Sequence, residues 1–212
     1  MPIICIIGPD GVGKTTQARL LQKKFERDGT PHKYVWLRRN HKISLPLLAF
    51  ARVIGLSRVK QLKNGGKIVY HDFNKLRPVA FLYQFTLFVD ILLSLLVKVH
   101  IPLLLGKSVI CDRFIYDTLV DLVVSTKNPE LFDETIGRLF VTLIPNTKTI
   151  MLKAQMETLR NRKEDVKEDE ELEMKIRLYD KMASKFNIPK VVSDKSKGVV
   201  HNEIMQIICL KG

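Results

Sequence analysis

Short apolar runs of strand length alternate along this chain with longer stretches in which apolar residues recur at helical spacing. Ile3-Ile4-Cys5-Ile6-Ile7 is apolar at every position, as expected of a strand buried on both faces. Ala18, Leu20, Leu21 and Phe25 then follow a helical period. Further apolar runs at 34–37, 108–111, 149–152 and 190–192 predict four more strands, with helical stretches between them. Five strands alternating with helices predict an α/β fold, a parallel sheet of five strands with helices on both faces. At 212 residues the pattern fits a single domain spanning 1–212.

Three stretches depart from simple alternation. Leu45, Leu48, Ala49, Val53, Ile54 and Val59 predict a helix over 43–63, interrupted near Gly55 and ended by Asn64-Gly65-Gly66. A polar segment follows, which we expect to be a mobile loop near 64–75. Pro78 suits the first turn of a helix over 79–105 that is apolar nearly all round. Gln84, Asp90, Lys98, His100 and Pro102 leave it no uncharged apolar run of about 18 residues, so burial in the core or at a subunit contact is expected, not a membrane span. Finally, Arg160 and Arg162 precede an acidic run from Glu164 to Glu173. This predicts a mobile, arginine-bearing lid near 157–170, with a helix from about 170 to 185.

The chemistry concentrates where the first strand meets the first helix. Gly8-Pro9-Asp10-Gly11-Val12-Gly13-Lys14-Thr15, followed by Thr16, is a G-x-x-x-x-G-K-T phosphate loop in the required strand–loop–helix context. Gly8, Gly11 and Gly13 permit backbone conformations in which successive N–H groups face phosphate oxygens, and the helix dipole points at the same place. Lys14 is expected to reach the β/γ-phosphates of ATP, and the Thr15 hydroxyl to ligate Mg²⁺. The strand at 108–111 delivers Asp112, a second Mg²⁺ anchor, and Arg113, suited to bidentate phosphate contact. Arg38 and Arg39 follow the strand at 34–37, where an anionic substrate could be met.

Charge adds one qualification. The net +13 lies wholly in residues 1–113, with 19 Lys/Arg against 6 Asp/Glu. The excess thus shares its half of the chain with the phosphate loop, and it suits acidic small substrates; no basic tail or aromatic-interleaved basic motif points to specific nucleic-acid binding. Cys5, Cys111 and Cys209 lack metal-ligand spacing and are expected to be buried thiols in a reducing cytoplasm, with no leader segment expected before the first strand.

With these motifs placed, the chain resembles the thymidylate kinase family of nucleoside monophosphate kinases along nearly its whole length. The segment Gly8 to Gln17 agrees with the family's loop, G-x-D-G-x-G-K-T-T-Q, and Asp112-Arg113-Phe114 matches its aspartate–arginine–aromatic signature. The resemblance implies ATP and Mg²⁺ at Lys14 and Thr15, with Asp10 and Arg38 toward the acceptor nucleotide and Arg113 on its phosphate. It also implies a homodimer through the 79–105 helix and phosphoryl transfer from ATP to dTMP in nucleotide biosynthesis. Arg160 and Arg162 match the general character of the family's lid. The base-contacting Arg of the family's long helix is missing, its place taken by Phe88-Val89-Asp90-Ile91-Leu92, where Phe88 or Phe85 could stack on a base. The Arg-Glu-Pro-Gly motif becomes Arg38-Arg39-Asn40-His41, and the segment after Asp-Arg holds Asp117-Thr118-Leu119-Val120-Asp121. The alternatives are a kinase of the same fold with another acceptor, and a nucleotide-binding regulatory protein.

Overall fold

The computed structural model describes residues 1–38 and 41–210; Arg39 and Asn40, flagged above, lie outside them. The expected sheet is present. Its strands are β1 (Ile3–Ile7), β2 (His32–Trp36), β5 (Ser108–Asp112), β6 (Lys148–Lys153) and β7 (Lys190–Val192), in the order β2-β5-β1-β6-β7, with every pairing parallel. β1 sits at the centre, with Ile3 opposite Val109 on one side and Ile4 opposite Lys148 on the other. Its side chains divide by parity, as a strand requires. Ile3, Cys5 and Ile7 enter one apolar core, and Ile4 and Ile6 enter another on the opposite face.

The first core lies under α3 (Arg77–Leu95), α5 (Ile115–Thr126) and α9 (Leu172–Lys185), and the second under α1 (Lys14–Arg27) and α10 (Lys197–Leu210). Helices therefore cover both faces. Cys5 and Cys111 are buried free thiols, but Cys209 is exposed, contrary to expectation.

Between β2 and β5 the chain departs from the helix expected over 43–63. Helix α2 covers only Leu45–Val53; the chain then turns at Gly55 (φ 77°) and forms a second, antiparallel sheet from β3 (Ser57–Gln61) and β4 (Lys67–His71). The segment expected as a loop near 64–75 is thus a hairpin turn, a strand and a short 3₁₀ turn (Phe73–Lys75). The physical reason lies in the turn itself. Gly65 takes φ 79°, and the Asn64 side chain accepts from the Gly66 N–H at 3.0 Å, closing a tight connection that aligns Val59 with Val69.

The long apolar helix starts at Arg77, passes through a π-helical turn (Leu96–His100) and ends in α4 (Ile101–Leu104). One face is buried, but the other is not: Phe81, Phe85, Val97 and Leu104 are all more than half exposed. The lid region is also more ordered in form than a hydrated run would be. It comprises α7 (Met156–Arg162), α8 (Glu164–Lys167) and then α9, with Leu159, Val166 and Leu172 buried as its anchors.

Candidate active site

The carboxyl ends of β1 and β5, adjacent in the sheet, bring the two main motifs together. Arg113 N–H donates to the Ile6 carbonyl at 3.1 Å, which fixes the segment after β5 beside the loop after β1. Gly8, Gly11 and Gly13 all have positive φ (137°, 81° and 100°). Gly8 is also required by space, since a Cβ there would lie 2.3 Å from the Leu152 carbonyl oxygen. Gly13 in the left-handed conformation starts α1, so the N–H groups of that first turn have no intrahelical acceptor and are oriented for an anion. Val12 is buried under the loop, while Thr15 and Thr16 are exposed at the head of the helix.

Lys14 folds back over this loop. Its Nζ donates to the carbonyls of Gly8 (2.5 Å) and Pro9 (2.7 Å) and lies 3.7 Å from Asp10 Oδ1. Burial, together with the nearby Arg113 charge and against the pull of Asp10, lowers its pKa to about 8. Asp10 is the hub of the site. Its Oδ2 accepts from Arg38 Nη1 at 2.8 Å and its Oδ1 from Arg113 Nη2. Burial alone would raise the Asp10 pKa, but Lys14, Arg38 and Arg113 outweigh it and hold the carboxyl well below the usual range.

Each arginine is held from a second side. Arg38 donates from Nε (2.8 Å) and Nη2 (3.0 Å) to the two oxygens of Asp121, a bidentate pair. Arg113 adopts φ 71°, a conformation uncommon for a non-glycine residue. Its Nη1 lies 4.0 Å from Asp117 Oδ1. Asp117 is fully buried: Oδ2 accepts from the Phe114 N–H (2.8 Å), capping α5, and Oδ1 from Tyr179 Oη (2.6 Å) on α9. Burial raises the Asp117 pKa, against the pull of Lys14 and Arg113.

Asp112, at the end of β5, is 1% exposed. Its Oδ2 accepts from Tyr34 Oη at 2.7 Å, whereas Oδ1 is buried without a hydrogen-bond partner among the described residues. That orphaned anionic oxygen fits the chemistry of a hydrated Mg²⁺, which takes one or two carboxylates and keeps its waters. Thr15 supplies a hydroxyl at the head of α1. No group of three or more His, Cys, Asp or Glu capable of holding a metal occurs among the described residues, so any Mg²⁺ here would rely on phosphate oxygens for part of its shell.

A cavity of about 420 Å³ opens beside Asp10 and Arg38. Its walls come from α2 (Leu48, Arg52), α3 (Tyr83, Leu87), the hairpin and the segment around Asp169. Phe88, expected at the acceptor, is not brought there; it packs edge-on against Phe140 at 5.5 Å, because the cavity-facing side of α3 is the Tyr83–Leu87–Ile91 side. The hairpin and the segment after α8 meet beside this cavity. Lys60 Nζ donates to Glu168 O (2.9 Å) and Glu170 Oε1 (3.0 Å), Arg58 pairs with Glu170, and the Glu170 N–H donates to Tyr70 Oη (3.1 Å).

The lid arginines occupy different settings. The backbone of α7 packs on the loop after β1, since a Cβ at Gly11 would lie 3.3 Å from Leu159 O. Arg160 is exposed at the end of α7. Arg162 instead binds Ser193, donating from Nη1 to Oγ (3.2 Å) and from Nη2 to the carbonyl (2.7 Å). Sequence reasoning did not select Tyr34, Asp117, Asp121 or Tyr179. For two of them a signal existed: Arg113, Asp117 and Asp121 recur every fourth residue, one face of a helix.

No protein-family model matches the chain, and no curated protein matches it significantly.

Proposed function

We propose that this protein transfers a phosphoryl group from ATP to a nucleoside monophosphate, with dTMP as the leading acceptor. The observation that carries the reading is the convergence of Lys14, Arg38 and Arg113 on Asp10, at the carboxyl ends of the neighbouring strands β2, β5 and β1 and beside a substrate-sized cavity. Phosphoryl transfer needs in-line positioning and charge neutralisation more than a covalent intermediate. Three cations sharing one carboxylate can exchange it for phosphate oxygens without being desolvated again.

In this reading the loop N–H groups and Lys14 hold the β/γ-phosphates. Phosphate oxygens favour the charged form of Lys14, whose pKa of about 8 leaves it mostly protonated at neutral pH. Arg113, fixed by Asp117 and by its own backbone conformation, and Arg38, fixed by Asp121, hold the acceptor phosphate. Thr15 and Asp112 Oδ1 would hold Mg²⁺, whose role when bound is to neutralise charge on the β/γ-oxygens. Arg160 and Arg162 belong to the lid that shields the site from water.

A second acceptor class has its own support. The cavity wall carries Arg52, Asp121, Asp169, Glu171 and Lys175, more charge than a thymine ring requires. A differently substituted monophosphate, a nucleoside or a phosphorylated metabolite fits this lining. The test is ADP formation from Mg-ATP across a panel of nucleoside monophosphates and nucleosides. The expected outcome is selective turnover of one monophosphate, falling at least about 10³-fold in Lys14→Ala with the thermal midpoint retained. Wild-type-like turnover in Lys14→Ala would overturn the proposal, as would ATP binding with no turnover across this panel, an outcome that points to a non-nucleotide acceptor first and to a regulatory protein second.

A further inference from the structure

We infer that Tyr34 is a positioning residue for the metal-bound nucleotide: by occupying one oxygen of Asp112 it leaves that carboxylate a single-oxygen ligand, and so favours Mg²⁺ over Ca²⁺. The inference rests on the kinase reading only in placing a metal–nucleotide complex at Asp112. Among the described residues three carboxylates are buried whole, those of Asp90, Asp112 and Asp117. Two of them are satisfied on both oxygens. Asp90 accepts from the N–H groups of Lys42 (3.1 Å) and Ile43 (2.8 Å) on Oδ1, and from the N–H (2.9 Å) and hydroxyl (2.7 Å) of Ser44 on Oδ2. Asp117 accepts from the Phe114 N–H on Oδ2 and from Tyr179 on Oδ1. Asp112 is divided: Oδ2 is closed by Tyr34, and Oδ1 is left without a partner. A carboxylate buried for stability alone would pair both oxygens, as its two counterparts do. One closed and one open is the state of a ligand held ready.

The packing shows how the closed side is held. β2 and β5 run parallel, with Tyr34 opposite Ile110 and Trp36 opposite Asp112. Tyr34 and Ile110 belong to the apolar core on the α1 side of the sheet, and strand parity puts Asp112 on that side too. The phenol thus reaches along the strand, past its own register partner, to donate to Oδ2 at 2.7 Å. On the other side of its ring lies Arg19, with Cζ 3.9 Å from the ring centre, a cation–π contact. Arg19 is anchored in turn to Gln22 Oε1 at 2.8 Å. It follows Thr15 by four residues, on the same face of α1. Three elements therefore converge here: β5 supplies the carboxylate, β2 the donor that fixes its rotation, and α1 the cation that holds the donor.

Ligand number and rigidity then select the metal. Ca²⁺ takes roughly six to eight oxygens in a flexible shell and readily uses both oxygens of one carboxylate. Mg²⁺ demands near-octahedral geometry and keeps several waters, so it asks little of each carboxylate. A carboxylate with one oxygen closed and its rotation fixed meets the second demand and not the first. Removing the Tyr34 hydroxyl frees both oxygens, which helps Ca²⁺ more than Mg²⁺.

The test is isothermal titration calorimetry of the full chain with a non-hydrolysable ATP analogue, in Mg²⁺, in Ca²⁺ and in EDTA. Wild type should bind the Mg²⁺ complex at least about tenfold more tightly than the Ca²⁺ complex, and Tyr34→Phe should bring that ratio below about threefold. A purely structural hydroxyl would change stability without moving a ratio of two affinities measured on the same folded protein. Arg19→Ala, at an exposed position, keeps the phenol but removes the group that holds its ring. It should shift the ratio the same way by a smaller factor. In an Asp112→Asn background, adding Tyr34→Phe should change the ratio no further. An unchanged ratio in Tyr34→Phe, or in Arg19→Ala should the first variant not fold, would overturn the role of Tyr34, as would a wild type that binds both metal complexes alike. If Asp112→Asn still abolishes the gain of metal over EDTA, the kinase reading survives that result. Nucleotide binding indifferent to metal in wild type would overturn both.

Discussion

At the scale of the single residue, Asp10 illustrates how one carboxylate organises three cations. Lys14, Arg38 and Arg113 come from different elements, and without a shared anion their mutual repulsion would oppose their packing at the head of β1. The carboxyl is held well below its unfolded range, so its contribution is fully present above about pH 4. That contribution is lost as pH falls through the folded value. Asp10→Asn is therefore expected to destabilise the protein by about 2–4 kcal/mol at pH 7. It should also flatten the acid limb of the stability–pH curve. Added inorganic phosphate should restore part of the loss by taking the place of the carboxylate. Urea denaturation of both proteins between about pH 3 and pH 7, with and without phosphate, checks all three. At this scale the loop was legible, because its glycines and Lys14 act through local geometry. Arg38 with Asp121 and Asp117 with Tyr179 were not, because such partners lie far apart in the chain and only the packed fold brings them together.

At the scale of the element, legibility followed how local each signal was. Strands β1 and β5 read directly from unbroken apolar runs, which burial on both faces imposes. The hairpin was hidden because Leu45 to Val59 satisfies a helical period by coincidence, and Asn64-Gly65-Gly66 suits the end of a helix as well as a hairpin turn. For the long helix, composition alone could not separate a buried face from an exposed one. The single acid in its interior does so. Asp90 marks the side turned toward α2 and satisfies donors at that helix's start, where no side chain of its own performs the cap. Asp90→Ala should cost about 2–4 kcal/mol, since it orphans several buried donors. Asp90→Asn should cost roughly half as much, because one carboxyl-type oxygen remains. Hydrogen exchange should show the loss of protection concentrated in residues 42–53, whereas a purely global effect would contradict the capping role.

At the scale of the whole molecule, the parallel sheet was predictable as a layer, but its strand order was not, because apolar runs carry no record of which neighbours they will meet. That order has a consequence for how the protein is made. Strand β1, made before both of its neighbours, ends up central, between Val109–Asp112 and Lys148–Met151. At about 5–20 residues per second, its apolar edges wait on the order of ten seconds for the second of these partners. A chain terminated at residue 145 would have β2 and β5 but neither β6 nor β7, leaving one edge of β1 open. It is expected to show no cooperative unfolding transition and to bind no ATP analogue, and a folded, nucleotide-binding fragment would refute this. The loop after β1 is thus translated well before it is shaped. Gly8 is pressed against the Leu152 carbonyl, so the loop after β1 takes its final shape only once β6 has been made, and ribosome-associated chaperones would have that whole interval in which to hold it.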